Sequence, residues 1–206
     1  MKPCPADAVG QGKRKRRFEL SIMAELVLVR HGETEWDREG RLQGTLDIPL
    51  NNIGKGEAER ISRELSVLKI SGIYSSPVAA SYSTACEVAM PHKLKVRKMG
   101  EFSELNHGIW QGLLLKVIKK RYKRQYSAWK SSPTSGHPPK GESLSDACDR
   151  AVRAVHKIID KHGDGNICVV SHDVIISVLK CYFNNVDLDK IWEFVPGKAR
   201  WEVIEV

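Results

Sequence analysis

The stretch 26–37, LVLVRHGETEWD, predicts how the chain begins its fold. Its first four residues alternate leucine and valine, which is typical of a short buried strand. Arg30 and His31 stand where this strand ends, and Gly32 follows at once. In open α/β sheets, ligands bind just beyond the carboxyl ends of the strands. The stretch therefore predicts an arginine and a histidine that face a ligand at the edge of a sheet.

A second apolar run ends in the same way. Residues 167–170, ICVV, are followed directly by Ser171 and His172. Because the carboxyl ends of parallel strands lie at one edge of a sheet, His172 and His31 can meet in a single crevice. One histidine at such a place would more often have a structural role. Two histidines and an arginine at strand ends favour a functional site.

Strand and helix patterns alternate along the first half of the chain. Apolar residues recur at helical spacing from Ala58 to Leu68, residues 72–77 indicate a strand, and residues 81–90 indicate a helix that ends at Pro91. This alternation is typical of a mostly parallel sheet covered by helices. We therefore predict an α/β fold, a single-domain three-layer sandwich with a mostly parallel sheet and helices on both faces.

The remaining segments carry loop and helix signals. The polar, glycine-rich segment that ends near Asn52 is predicted to be a loop. Residues 114–129 predict one long helix with lysine and arginine side chains on its outer face, and residues 131–143 predict a loop. Ser143 and Asp146 form the pattern of a helix N-cap and its partner, so we expect another helix to begin there.

The composition limits the class of protein. The chain has 206 residues, of which 41% are apolar and 28% are charged, and this length suits one domain with a substantial core. No apolar stretch approaches the ~20 residues that span a membrane. Five scattered cysteines without a C-x-x-C pair indicate free thiols in a reducing compartment. We expect a cytoplasmic protein without a membrane partner.

The net charge of +8 includes a basic run, KRKRR, at residues 13–17. Such a run is a candidate nucleic-acid or membrane patch, but it is more often a solvated, disordered tail. The apolar segment of a signal peptide does not follow it. We predict that residues 1–22 are a basic, disordered extension, that residues 23–206 form the folded domain, and that nucleic acid is not a partner.

The motifs together resemble those of the histidine phosphatase superfamily, the phosphoglycerate-mutase-like enzymes. The stretch LVLVRHGETEWD resembles the signature of that family, and the resemblance covers nearly all of residues 24–206. It is closest to the short phosphatase branch. The later landmarks follow in the family's order: GRLQGTLDIPLNNIG (40–54), IYSSPVAASYSTA (73–85), ELNHGIWQG (104–112), PPKGES (138–143) and VVSHD (169–173).

The resemblance implies a covalent mechanism that needs no cofactor and no metal. His31 matches the nucleophile that forms a phosphohistidine, which divides one difficult displacement into two easier ones. Arg30 and His172 match groups that hold the phosphoryl oxygens. Glu104 matches the proton donor for the leaving oxygen and the later base for water. We therefore expect a phosphatase that acts on a small phosphorylated metabolite.

The resemblance also implies which residues border the substrate. Gln43, Gly44 and Thr45 lie in the loop that usually adjoins the phosphate, and we expect Asp37 and Asp173 beside them. The segment between the acid and the second histidine can cover the pocket and set specificity. Its many lysine and arginine side chains could attract a second phosphate or a carboxylate, although a solvated helix face is the more common role of such residues.

Three positions depart from the family pattern. Ala80 stands where a second arginine is usual and where the side chain is expected to face the pocket, Asp37 replaces an asparagine, and Asp173 replaces a glycine. Losing one preorganised donor typically costs ~2.7–4 kcal/mol, so these changes could impair catalysis. These positions leave open a catalytically weakened member that acts as a binding or regulatory protein. A second alternative, which does not depend on these positions, is a phosphoglycerate-mutase-type phosphotransferase.

Overall fold

The strands form one five-stranded sheet. The structure, a computed structural model, describes residues 25–163, 165–197 and 200–206. The strands are β1 (Glu25–Arg30), β2 (Ile70–Ser75), β3 (Val96–Lys98), β4 (Asn166–Ser171) and β5 (Trp201–Glu205). Their order is β3-β2-β4-β1-β5. The pairs β2–β3, β2–β4 and β1–β4 are parallel, and β5 runs antiparallel to β1, which confirms the predicted, mostly parallel sheet.

Helices cover both faces of this sheet. They are α1 (Glu35–Glu39), α2 (Asn52–Leu65), α3 (Ala79–His92), α4 (Leu115–Arg121), α5 (Lys123–Ser131), α6 (Leu144–His162) and α7 (Asp173–Phe183). Val27 and Val29 of β1 pack in the core with α2 and α3, whereas Leu26 and Leu28 pack with α6 and α7. All four residues of the LVLV run are buried because each face of β1 meets a helical layer. The predicted three-layer sandwich is confirmed.

Three further predictions concern the N-terminal extension, membrane-spanning segments and the cysteines. The predicted basic extension, residues 1–22, lies outside the described residues, and its boundary at residue 23 stays a prediction. In the part of the chain that the structure describes, none of the helices combines the length and apolarity needed to cross a membrane. The described cysteines are free thiols, as their scattered spacing predicts: Cys86, Cys148, Cys168 and Cys181.

Helix α3 continues through Pro91, so the prediction that it ends there is wrong. Proline lacks an N–H group, and inside a helix it leaves the carbonyl four residues earlier without its usual donor. That carbonyl belongs to Glu87, and the hydroxyl of Ser62 on α2 donates to it at 2.6 Å. Because this carbonyl has found another donor, the helix extends to His92.

Residues 114–129 form two helices and not the single helix predicted. The break lies at Tyr122, whose backbone has φ −118° and ψ 34°. The rings of Tyr122 and Tyr126 both lie against Trp110, with centroids 6.3 Å and 6.1 Å from its ring centroid. Tyr122 at the break and Tyr126 on α5 thus pack on one buried indole.

The polar segment predicted to be a loop contains helix α1. Thr34 is its N-cap: the Thr34 hydroxyl accepts from the Asp37 N–H at 3.1 Å, and the Asp37 carboxylate accepts from the Thr34 N–H at 2.8 Å. This capping box follows from the local pattern T-x-x-D. Helix α1 brings Asp37 next to Arg30. Helix α2 ends at Leu65, so the helix pattern that included Leu68 was extended too far.

Candidate active site

A cleft of about 210 Å³ opens at the carboxyl ends of β1 and β4. His31 follows β1 and His172 follows β4, and their ring centroids lie 4.9 Å apart in an edge-to-face arrangement. The prediction that the two histidines meet in one crevice is confirmed. The cleft is further lined by Arg30, Asp37, Gly40, Arg41, Leu42, Gln43, Gly44, Glu104, His107, Leu115 and Asp173.

The imidazole of His31 is buried and fixed in orientation. Its Nδ1 lies 2.7 Å from the carbonyl oxygen of Gly32. Because a carbonyl oxygen can only accept, Nδ1 carries the proton and Nε2 keeps its lone pair. Burial lowers the pKa of His31 from its usual 6.5, and the positive charge of Arg30 lowers it further. The ring is therefore neutral at pH 7, in the form that can attack phosphorus.

The glycine after His31 is required by close packing. A Cβ atom on Gly32 would collide with the backbone of Gly54 at the start of α2. The Gly32 N–H donates to the Thr84 hydroxyl on α3 at 3.1 Å. The turn after β1 is thus held by two helices, and this turn fixes the carbonyl that orients His31.

The second histidine is held by two serines. Nε2 of His172 lies 3.0 Å from the Ser76 hydroxyl and 3.2 Å from the Ser81 hydroxyl. The Ser76 oxygen already accepts from the Val78 N–H, so its own proton is available for His172. In the tautomer in which Nε2 accepts this proton, Nδ1–H is the donor that His172 offers to a ligand. Burial, with the nearby charge of Arg30 in addition, keeps the pKa of His172 well below 6.5.

Arg30 lies between two carboxylates. Its Nη2 contacts Asp37 Oδ1 at 2.9 Å and Asp173 Oδ2 at 3.3 Å, and its Nε donates to Asp173 Oδ1. Burial alone would lower the pKa of Arg30, but the carboxylates of Asp173 and Asp37 raise it above its usual value, so the guanidinium stays charged. Its Nη1 is buried and has no hydrogen-bond partner among the described residues. Nη1 is therefore the free donor that Arg30 can offer to an anion.

Asp37 keeps a negative charge next to the place where a phosphate would bind Arg30. Burial alone would raise the pKa of Asp37, but Arg30 and the hydrogen bonds from Thr34 hold it below its usual value. The same carboxylate caps helix α1 and contacts Arg30. Asp37, at the position where the family that the motifs resemble commonly has asparagine, thus places a carboxylate against the cleft's buried arginine.

Glu104 is buried at the side of the cleft, where it can exchange a proton. Its Oε1 accepts from the Leu105 N–H at 2.8 Å, and its Oε2 accepts from the Val174 N–H at 3.2 Å. Burial, followed by the negative charge of Asp173, raises the pKa of Glu104 to about 7. Both protonation states are populated near neutral pH, which suits a group that first donates a proton and then accepts one.

The loop after α1 places Gln43 and Gly44 in the cleft. Gln43 donates to the Thr34 hydroxyl, and its Oε1 is buried without a partner among the described residues. Gly44 has φ +60°, and the Gln111 side chain occupies the space that a Cβ would need. Thr45 is exposed, and both its N–H and its hydroxyl donate to Gln111, so it does not face the cleft in this structure.

Ala80 does not point into the cleft. It is completely buried and packs with Leu50 and Ala58 in a small apolar cluster. The expectation that a side chain at this position faces the pocket is therefore wrong for this chain. Among the described residues, the arginines that line the cleft are Arg30 and Arg41.

Arg41 and His107 line the cleft although the sequence did not single them out. The Arg41 guanidinium donates to the Gly112 carbonyl at 2.6 Å and lies 5.4 Å from the Trp36 ring centroid. His107 is buried, its Nδ1 lacks a partner among the described residues, and burial lowers its pKa to about 4. Each lies within a landmark motif, but neither residue type nor spacing pointed to a role.

A second cleft, which we call the aromatic annex, adjoins the first beside Glu104 and His107. It measures about 230 Å³ and shares Leu42, Leu115 and Asp173 with the first cleft. The two clefts are therefore continuous along these shared walls. The annex is completed by Tyr126, Trp129, Lys130, Val174, Trp192 and Val195.

Comparison with known proteins points in the same direction as this geometry. The sequence model of the histidine phosphatase superfamily, branch 1, matches residues 26–206. Phosphoserine phosphatase 1 of Hydrogenobacter thermophilus is 35% identical over 184 residues, which cover 89% of this chain and 87% of the relative. Phosphoglycerate mutase-like protein 4 of Arabidopsis thaliana is 39% identical over 159 residues, which cover 76% of this chain and 69% of the relative.

Solved structures share the fold. Bacillus stearothermophilus YhfR superposes with a TM-score of 0.82 at 29% identity, over 89% of this chain and 91% of the other. A mycobacterial glucosyl-3-phosphoglycerate phosphatase in complex with VO3 also has a TM-score of 0.82, at 26% identity, over 87% of this chain and 92% of the other.

Proposed function

Because the chain belongs to the histidine phosphatase superfamily, we propose that it hydrolyses phosphate monoesters through a phosphohistidine on His31, with Glu104 as the proton donor. It is a phosphatase of small phosphorylated metabolites, as are several of its relatives by name. The observation that carries the mechanism is the fixed ring of His31. Its Nδ1 is held by Gly32, and its neutral Nε2 remains for the cleft that Glu104 also lines.

The first half-reaction transfers the phosphoryl group to the protein. The Nη1 group of Arg30 and the Nδ1 proton of His172 hold phosphoryl oxygens, and such preorganised donors stabilise the charge of the transition state. Nε2 of His31 forms a bond to phosphorus as the ester P–O bond breaks. Protonated Glu104 gives its proton to the leaving oxygen, so that an alcohol departs and a carboxylate remains.

The second half-reaction returns the protein to its starting state. The Glu104 carboxylate takes a proton from a water molecule while the water oxygen attacks phosphorus. The P–N bond to His31 breaks, inorganic phosphate leaves, and Glu104 is protonated again. A pKa of about 7 for Glu104 allows both steps to proceed near neutral pH.

The negative charges of Asp37 and Asp173 beside Arg30 repel a phosphate, so we expect turnover to be slow. In this form the alternative of a catalytically weakened member is retained. We expect Asp37→Asn to raise kcat/KM for a phosphate monoester by about tenfold. Two unit charges ~4 Å apart repel by ~4 kcal/mol at an effective dielectric of ~20, so removing part of that repulsion suffices. An asparagine oxygen can still accept from the Thr34 N–H and retain the cap of α1.

The control for Asp37→Asn is Glu35→Gln, which removes a half-exposed carboxylate from the same helix. Initial rates of phosphate release should be compared at fixed pH and ionic strength. A lower kcat/KM in Asp37→Asn would show that Asp37 serves to orient Arg30 for the substrate, contrary to the expected repulsion.

Hydrolysis of phosphoserine and other small phosphate monoesters tests the proposed function. Since the nucleophile is a side chain, we expect phosphate release to survive exhaustive treatment with EDTA. Loss of the activity, restored by a divalent ion, would contradict the phosphohistidine route. Transfer of the phosphoryl group to a second ester in place of water would identify the mutase alternative.

We also propose that the protein acts in the cytoplasm. The described cysteines are free, and three of them are buried thiols that a reducing compartment keeps unpaired. The partner that the proposed mechanism requires is a small phosphorylated substrate.

A further inference from the structure

The segment between Gln111 and Gly141 carries an unbalanced positive charge. It contains eight lysine and arginine residues and no aspartate or glutamate. Since the net charge of the whole chain is +8, the rest of the sequence is neutral overall. A basic helix face is often only solvated, so the position of individual side chains decides whether the charge has a function. The residues are Lys116, Lys119, Lys120, Arg121, Lys123, Arg124, Lys130 and Lys140.

One of these lysines, Lys130, lines the aromatic annex, and a second, Lys119, lies beside one of its rings. The ammonium of Lys130 lies 3.8 Å from the centroid of the Trp192 ring. The ammonium of Lys119 lies 5.8 Å from the centroid of Tyr126, which lines the annex as well. Lys119 on helix α4 and Lys130 on helix α5 thus place two positive charges beside the aromatic rings of the annex.

The annex also contains two carboxylates, Glu104 and Asp173, but among the described residues neither ammonium group is paired with a carboxylate. Neither takes part in the ion pairs found among the described residues. Burial lowers the pKa of Lys130, and the positive charge of Lys119 lowers it further, so the two charges are close enough to repel. Two like charges without a counter-ion beside a cleft favour the binding of an anion there.

We propose that the aromatic annex is a specificity subsite in which Lys119 and Lys130 bind a second anionic group on the substrate. This inference rests on the proposed phosphatase function, since the first phosphate occupies the cleft at His31. The leaving group would lie along Leu42, Leu115 and the aromatic rings and end in a carboxylate or a second phosphate. The substrate class is therefore a phosphate monoester of an alcohol with an apolar or planar body and a remote negative charge.

A set of aryl phosphates tests this proposal. The probes are 4-carboxyphenyl phosphate, the bisphosphate of hydroquinone, and 4-carbamoylphenyl phosphate as the neutral isostere of the first. We expect kcat/KM to be higher for the two charged esters than for the neutral one. Whichever charged ester has the higher kcat/KM shows whether the subsite prefers a carboxylate or a phosphate. In the double variant Lys119→Gln/Lys130→Gln, the ratio of kcat/KM for the charged ester to kcat/KM for the neutral ester should fall about tenfold. This is the effect of losing a hydrogen bond to a charged group.

The matched control is Lys120→Gln/Lys123→Gln, which removes the same charge from the same two helices. Neither of these lysines lines the annex, and neither lies over one of its aromatic rings, whereas Lys130 lines it and Lys119 lies over Tyr126. We expect the charged-to-neutral ratio of the control to equal that of the parent. An equal fall in both double variants would mean long-range attraction without a subsite and would overturn the proposal.

The proposal is also overturned if the parent protein does not prefer a charged ester, or if the ratio is unchanged in Lys119→Gln/Lys130→Gln. These outcomes leave the proposed hydrolysis intact. Failure of the proposed function has a different signature, because 4-carbamoylphenyl phosphate would then be hydrolysed equally well by the parent and by His31→Ala.

Discussion

The His31→Ala variant is expected to lose phosphate-ester turnover by roughly 10⁶-fold, the loss seen when a covalent enzyme loses its nucleophile. The phosphoryl group would have no acceptor in the cleft, although Arg30 and His172 could still bind it. The variant should remain folded. The deleted ring makes one hydrogen bond, to Gly32, and such a bond contributes ~1 kcal/mol against a total stability of ~5–15 kcal/mol.

The control for this variant is His156→Ala, which removes an exposed imidazole on α6 that lies outside both clefts. Steady-state release of phosphate should be measured for both variants together with their thermal unfolding. If His31→Ala and the parent turn over at equal rates, the activity does not arise at His31.

Glu104→Gln is expected to reduce kcat/KM for an alkyl phosphate by roughly 10²–10⁴-fold, the usual contribution of a positioned acid or base. A glutamine has one acceptor oxygen, so it can keep the hydrogen bond from either Leu105 or Val174, and it cannot give a proton to the leaving oxygen. With p-nitrophenyl phosphate, whose leaving group needs little protonation, the first step should persist. Attack by water should then be slow, so a burst of nitrophenol should precede a slow phase.

The pH profile gives an independent test of Glu104. Since the acid must be protonated in the first step, kcat/KM of the parent for an alkyl phosphate should fall as pH rises through about 7. This fall of kcat/KM with pH should disappear in Glu104→Gln. It should remain in the matched control Glu101→Gln, which alters an exposed carboxylate three residues away. A fall that is unchanged in Glu104→Gln would assign the proton to another group.

Glu104 should also make the fold less stable at high pH. The pKa of the folded state, about 7, exceeds the usual 4.5, so folding favours the protonated carboxyl. The stability from this group is present below about pH 4.5 and is lost as the pH rises to about 7. The unfolding temperature of the parent should therefore fall between pH 5 and pH 8, and this fall should be smaller in Glu104→Gln, which has no carboxyl group to ionise.

The fold was predictable because its main signals are local. The run LVLV is apolar at every position because both faces of β1 are covered, and the alternation of strands and helices indicated the layers. The end of α3 was missed because the donor that replaces the proline N–H comes from Ser62, on another helix. Nothing in the sequence around Pro91 reveals that contact.

The site was predictable only in part, for a similar reason. Strand ends predicted that His31 and His172 would meet, and the capping box of α1 is readable from Thr34 and Asp37. The contact of Arg30 with Asp173, 143 positions further along the chain, could not be predicted in the same way. It follows only from the pairing of β1 with β4. The apolar packing of Ala80 likewise depends on α2 and on the segment before it.

The measurement that tests the central claim most directly is the detection of the covalent intermediate. Glu104→Gln should be mixed with p-nitrophenyl phosphate, quenched in base, in which a P–N bond survives, and digested for mass spectrometry. The mechanism predicts one phosphoryl group per chain on His31, formed in step with the burst of nitrophenol and absent from His31→Ala. Turnover by the parent without any phosphorylated His31, or with the label on another residue, would contradict it.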